Sequence, residues 1–95
     1  MNFLEKYDFA KEDIEEFMNN TPKKILDLLT KHGDLVETNL KFIKDLGTNV
    51  YKEIFINYPD MFLMDASNFA QKFSQYETDE LIASLNNNFK VVEYL

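Results

Sequence analysis

Residues 21–47 read TPKKILDLLTKHGDLVETNLKFIKDLG, and this stretch decides the fold class. Thr21-Pro22 has the form of a helix cap followed by proline at the first helical position, where a missing N–H and a fixed φ cost nothing. Ile25, Leu26, Leu28 and Leu29 then make an apolar stripe at helical spacing, expected to end at His32-Gly33 with the glycine in the left-handed capping position. Asp34 and Glu37 stand three apart as the halves of a capping box. Leu35, Val36, Leu40, Ile43 and Leu46 carry the helical period on to Gly47. The chain holds only two glycines and two prolines. All four sit where helices stop or start, which favours an all-α fold.

The same punctuation extends outward. Thr48 is expected to start a helix bearing Val50, Ile54 and Phe55, which Tyr58-Pro59 ends because the residue before proline is pushed out of the α region. Met61 to Met64 form a short apolar turn, and Asp65 caps a helix marked by Phe69, Ala70, Phe73 and Tyr76. Thr78 caps another with Leu81, Ile82 and Leu85; Asn86 to Asn88 separate it from a last turn with Val91, Val92 and Leu95. Residues 9–25, FAKEDIEEFMNNTPKKI, lie over residues 76–92, YETDELIASLNNNFKVV, at a shift of 67, with aromatic on aromatic, acid pair on acid pair and Asn-Asn on Asn-Asn. A shift of 37 superposes Pro22 on Pro59 and Asn20 on Asn57. Such self-similarity predicts units that bury their apolar faces only by stacking. The expectation is one domain, residues 1–95, built as a compact right-angled stack of short helices. Its units would be 1–33, 34–65 and 66–95, each a long helix, a second helix and a short third one. The first unit keeps only Phe3, Leu4 and Tyr7 of its leading helix, as a capping unit would.

Residues 42–63, FIKDLGTNVYKEIFINYPDMFL, resemble the repeat of the mitochondrial transcription termination factor family: Leu-Gly, a helix with an apolar stripe, then a proline followed by a spaced leucine. In the first unit Pro22, Ile25 and Leu26 keep the pattern but Ala10 replaces the glycine. In the third, Phe89 stands where proline belongs. The resemblance implies a solenoid of three-helix units and nucleic-acid binding through a basic concave face.

The composition argues against that function. Seventeen acids oppose ten basic residues, all of them lysine, for a net charge of -7, with one histidine and no cysteine or tryptophan. Arginine is the favoured residue for guanine edges and bidentate phosphate contacts, and there is none. The candidates for nucleic-acid contact are Lys23, Lys24, Lys31, Lys41 and Lys44, in a middle section of charge +2 between flanks of -4 (residues 1–20) and -5 (residues 45–95). Lys23 and Lys24 begin a helix, against its macrodipole. Repulsion of phosphate by the whole chain makes nucleic acid an unfavoured partner.

Other chemistries are poorly supported. The absence of cysteine removes disulfide scaffolds, thiol catalysis and Cys-based zinc sites. No apolar run approaches the roughly 20 residues of a membrane span, and Met1 to Lys11 resembles neither a secretory signal nor an anchor. A cytoplasmic location is expected. His32 stands in a last helical turn, where a carbonyl or dipole contact suits it. No serine has a basic partner at a telling spacing, and no glycine-rich loop could cradle phosphate. Asp13 and Glu16 lack the Asp/Asn/Gly loop of a divalent-metal site. The expectation is therefore a protein that is not an enzyme and has neither metal nor cofactor.

What remains is interaction with a protein. Glu12, Asp13, Glu15 and Glu16 cluster in one helix, and Glu77, Asp79 and Glu80 take the equivalent place in the third unit. They read as ordinary helix starts or as a negative face complementary to a basic partner. Tyr51, Ile56 and Tyr58 lie off the stripe of Val50, Ile54 and Phe55, and surface tyrosines favour interfaces. They are the candidate partner patch or homodimer patch. The other aromatics are expected in the core. By analogy of type, without a shared motif, a small acidic helical chain of this kind suggests an inhibitor of nucleic-acid-handling machinery: an anti-CRISPR, antitoxin or immunity protein, phage-encoded in the first case.

Overall fold

The computed structural model describes residues 2–95, so Met1, which opens the first expected unit, lies outside the described residues. Among those residues the fold is all-α, with no strand. Six α-helices run in order: α1 (Lys11–Asn20), α2 (Lys23–Lys31), α3 (Gly33–Leu46), α4 (Tyr51–Asn57), α5 (Ala66–Ser74) and α6 (Thr78–Asn87). Three 3-10 turns, Leu4–Tyr7, Pro59–Leu63 and Phe89–Tyr94, complete the chain.

Helix α3 is the central element. It packs on α2, α4, α5 and the Pro59–Leu63 turn, and buries Val36, Leu40 and Ile43 completely. Gly47 ends it at φ 108°, the left-handed conformation that glycine adopts without a Cβ penalty. Tyr58 ends α4 ahead of Pro59, which opens the next turn. Asp65 caps α5 by accepting from the Asn68 amide at 3.2 Å. These boundaries fall where the sequence places them.

Three local expectations need correction. Gly33 does not adopt a left-handed conformation; it is the first residue of α3, and His32 makes the break at φ -108°, ψ 36°. His32 closes α2 through its N–H to Leu28 O and opens α3 through its carbonyl to Val36 N, both at 3.0 Å, so a single exposed bridging residue separates two nearly continuous helices. Asp34 and Glu37 consequently form no capping box. Glu37 turns instead to Lys6, at 2.6 Å, and to the Tyr7 hydroxyl, at 3.0 Å. Neither Thr21 nor Thr78 caps a helix: Pro22 holds the Ile25 and Leu26 amides with its carbonyl, and Glu77 caps α6.

The core is a chain of touching aromatic rings. Phe9 and Phe17 meet Phe55, at 5.7 and 5.0 Å between centroids; Phe55 meets Phe62 at 5.0 Å, Phe62 meets Phe69 at 5.1 Å, and Phe69 meets Phe73 at 5.1 Å. The tilted and edge-to-face geometries are those that aromatic quadrupoles favour. This row ties α1, α4, the Pro59–Leu63 turn and α5 into one interior. Of the phenylalanines expected inside, only Phe42 and Phe89 are left half-buried.

Order recurs along the chain. The triplet α3, α4, Pro59–Leu63 is followed by α5, α6, Phe89–Tyr94, with the two turns opening 30 residues apart (59 to 89). Helices α1 and α6 are both 10 residues long and start 67 apart (11 to 78). The elements before α3 do not follow that order: they are a 3-10 turn, α1 and the nine-residue helix α2. Asn39 and Thr48 are the buried polar residues among those described. Asn39 Nδ2 donates to the carbonyls of Phe62 (3.0 Å) and Met64 (2.9 Å), satisfying two acceptors at the end of the Pro59–Leu63 turn.

Candidate functional site

The candidate acids fall on α1 and at the start of α6. On α1, Glu12, Glu15 and Glu16 are exposed and Asp13 is half-buried. Helix α1 has Ala10 at its N-cap and no capping side chain, so Glu12 and Asp13 complement its open amides, whereas Glu15 and Glu16 lie beyond the first turn and gain nothing from them. On α6, Glu77 accepts from the Asp79 and Glu80 amides at 3.2 and 2.7 Å, and Asp79 and Glu80 occupy the first turn. Helices α1 and α6 are not packed extensively against each other. None of these seven carboxylates lies within ion-pair distance of a lysine among the described residues.

The five lysines of the middle section divide as well. Lys41 pairs with Asp45 at 2.6 Å, and Lys44 with Asp8 at 3.4 Å, its ammonium also lying 5.6 Å from the Tyr7 ring centroid. Lys23, Lys24 and Lys31 on α2 are exposed and form no ion pair among the described residues. The Lys6 and Tyr7 bonds to Glu37 hold that carboxyl below the usual carboxylate range.

Tyr51 is a correction to the expected aromatic patch. It is 8% exposed, sits edge-on to Phe9, and donates its hydroxyl to Tyr7 O at 2.8 Å. Ile56 and Tyr58 are half-buried against the core. The Tyr58 hydroxyl donates to Glu93, and this bond raises the phenol pKa to about 12. The reason is helical spacing: Tyr51, Ile54, Phe55 and Tyr58 stand at i, i+3, i+4 and i+7, so the face that buries Ile54 and Phe55 also carries Tyr51 and Tyr58; α4 begins at Tyr51, after the expected Thr48.

The exposed aromatics are elsewhere. Only three large hydrophobic side chains are well exposed among the described residues: Met18 at 45%, Tyr76 at 40% and Tyr94 at 83%. The two tyrosines line one cleft of about 300 Å³ between α6 and the Phe89–Tyr94 turn. Leu81, Val91 and Leu95 form its apolar part, and Glu77 and Glu80 its acidic part. Its walls are fixed. Glu77 caps α6, Asn88 caps the turn by accepting from the Lys90 amide at 3.1 Å, and Lys72 Nζ donates to Leu95 O at 3.2 Å. Both correct the expectation of core aromatics: Tyr76 continues the stripe of Phe69, Ala70 and Phe73 in sequence, but α5 ends at Ser74 and releases it from that face, and Tyr94 closes the last turn, where spacing says nothing about facing. The available signal was Tyr76 immediately before the Glu77 cap.

Among the described residues no three or more His, Asp or Glu side chains gather as a metal site would require, and no helix is long and apolar enough to cross a membrane. Comparison with protein-family models, curated proteins and solved structures returned no match.

Proposed function

We propose that the protein is a small acidic helical interaction module that binds a basic protein partner, and that it inhibits a partner whose basic surface handles nucleic acid, as an anti-CRISPR, antitoxin or immunity protein does. One observation carries this reading: among the described residues, the carboxylates of α1 and α6 are paired with no lysine. Glu15 and Glu16 lack even a helix-dipole role. Uncompensated surface charge of one sign speeds encounter with the opposite sign and excludes like-charged partners, nucleic acid included. A partner's cations complete pairs that the fold leaves open.

The test is recovery of a partner from host extract by the immobilised protein, at low salt and again at raised salt. The expected outcome is capture of a basic protein that raised salt releases, with capture abolished by reversing Glu12, Asp13, Glu15 and Glu16 to lysine. Unchanged capture by the reversed protein would refute the α1 face. Retardation of generic DNA or RNA at low salt, lost on changing Lys23, Lys24 and Lys31 to glutamine, would replace this reading by nucleic-acid contact.

A further inference from the structure

The clefts of this surface differ in what they could hold. Those beside the N-terminal turn are occupied by the chain's own ion pairs, with Lys6 on Glu37 and Lys41 on Asp45. The cleft at the junction of α1, α2 and α4, where Ile56 faces Pro22 and Ile25, has one acid, Asp60, and no exposed aromatic. The cleft between α6 and the Phe89–Tyr94 turn combines an apolar interior, two exposed tyrosines and two carboxylates.

We infer that this cleft takes an arginine side chain from a basic, partly apolar segment of the protein partner, with the guanidinium held by Glu80 and Glu77 and the aliphatic stem laid between Tyr76 and Tyr94. The inference rests on the proposed binding of a basic protein and adds the place and the recognised group. Charge complementarity identifies the occupant. A guanidinium forks onto carboxylates and stacks on aromatic faces, and its three-carbon stem covers apolar surface, so one residue type satisfies all three components of the cleft. An acidic or phosphate-bearing segment would meet two carboxylates. A purely apolar one would leave them desolvated and unpaired, which costs binding energy. Glu77 spends one lone pair of each oxygen on the α6 amides, and Glu80 is free of such bonds, which makes Glu80 the principal contact.

The probe is a short fluorescein-labelled peptide of alternating leucine and arginine, with a twin carrying neutral citrulline in place of arginine. Both are titrated with the full 95-residue chain at physiological salt and followed by anisotropy. At that salt the Debye length is about 8 Å, so distant charges contribute little. The arginine peptide binds and the citrulline twin does not. Tyr94→Ala and Glu80→Gln, both at exposed positions and remote from the core, each weaken binding about tenfold, the effect of losing one interface anchor. The triple variant Glu5→Gln, Asp27→Asn, Glu53→Gln, at exposed acids outside both acidic faces, binds as the unaltered chain does. Tyr94→Ala and Glu80→Gln binding with unchanged affinity would overturn the inference, as would equal binding of the two peptides or no binding of either. Loss confined to the Glu5, Asp27 and Glu53 variant overturns the cleft, and capture from extract reports on the basic-partner reading separately.

Discussion

Asn39 shows how much one side chain holds. It is 1% exposed and its amide supplies both hydrogens to carbonyls 23 and 25 residues away, those of Phe62 and Met64. Without them these acceptors are left in the interior with no replacement, a loss larger than the net worth of an ordinary hydrogen bond. Asn39→Ala should destabilise the fold by about 2 kcal/mol in urea unfolding. Asn39→Asp should destabilise it further, because a carboxylate faces two carbonyl oxygens. Stability equal to the unaltered protein's would show that the amide carries no load. Nothing in the spacing around Asn39 marks it: an asparagine among Val36, Leu40 and Ile43 reads as a polar gap in a stripe. The exposure of Tyr94 is equally unmarked, since it depends on where the last turn folds back relative to α6. Tyr51 was legible through its spacing with Ile54, Phe55 and Tyr58, but a stripe drawn from Val50, Ile54 and Phe55 leaves it out.

At the scale of elements, the two glycines separate a conformational requirement from a boundary signal. Gly47 has φ 108° and a Cβ there would lie 3.4 Å from the Ile82 side chain of α6. Gly33 has a helical conformation and open space around it. Gly47→Ala should therefore cost about 1 kcal/mol, the strain of a left-handed L-residue. Gly33→Ala should stabilise by about 0.5 kcal/mol, because alanine loses less backbone entropy on entering a helix. Thermal unfolding of the two variants checks both signs, and a destabilised Gly33→Ala would restore the left-handed cap that the sequence suggests. The helices themselves were legible, with Gly47, Pro59 and Asp65 marking their ends and starts as the local chemistry requires. The boundary errors were one-residue displacements at Thr21 and Thr78, the substitution of His32 for Gly33 as the break, and a start at Thr48 for the helix that begins at Tyr51. In each case a neighbouring carbonyl or carboxylate satisfied the open amides first, and sequence order alone does not rank such rivals.

Over the whole molecule, charge is arranged without internal balance. Among the described residues three ion pairs use Glu37, Asp45 and Asp8, and all three are partly or well exposed, where such pairs contribute little. The remaining acids repel one another across a chain of charge -7. Raising the ionic strength from about 0.01 M to 0.15 M, which shortens screening from about 30 to about 8 Å, should raise the midpoint of thermal unfolding. A lower midpoint would mean that the ion pairs outweigh the repulsion. The same imbalance is what the proposed partner would relieve.

Fold class and most of the interior follow from the sequence by itself, because helical periodicity and the chemistry of caps, glycine and proline act within a few residues of each other. The overall charge, the lack of arginine and the two acidic segments are likewise properties of composition. Only the tertiary structure decides which exposed residues share a surface. It buries Tyr51, occupies Lys41 and Lys44 with Asp45 and Asp8, and brings Tyr76, Glu80 and Tyr94 around one cleft. The physical reason is range: caps and stripes are local interactions, whereas a cleft is set by how α6 and the last turn pack, through the Asn88 cap and the contact of Lys72 with Leu95.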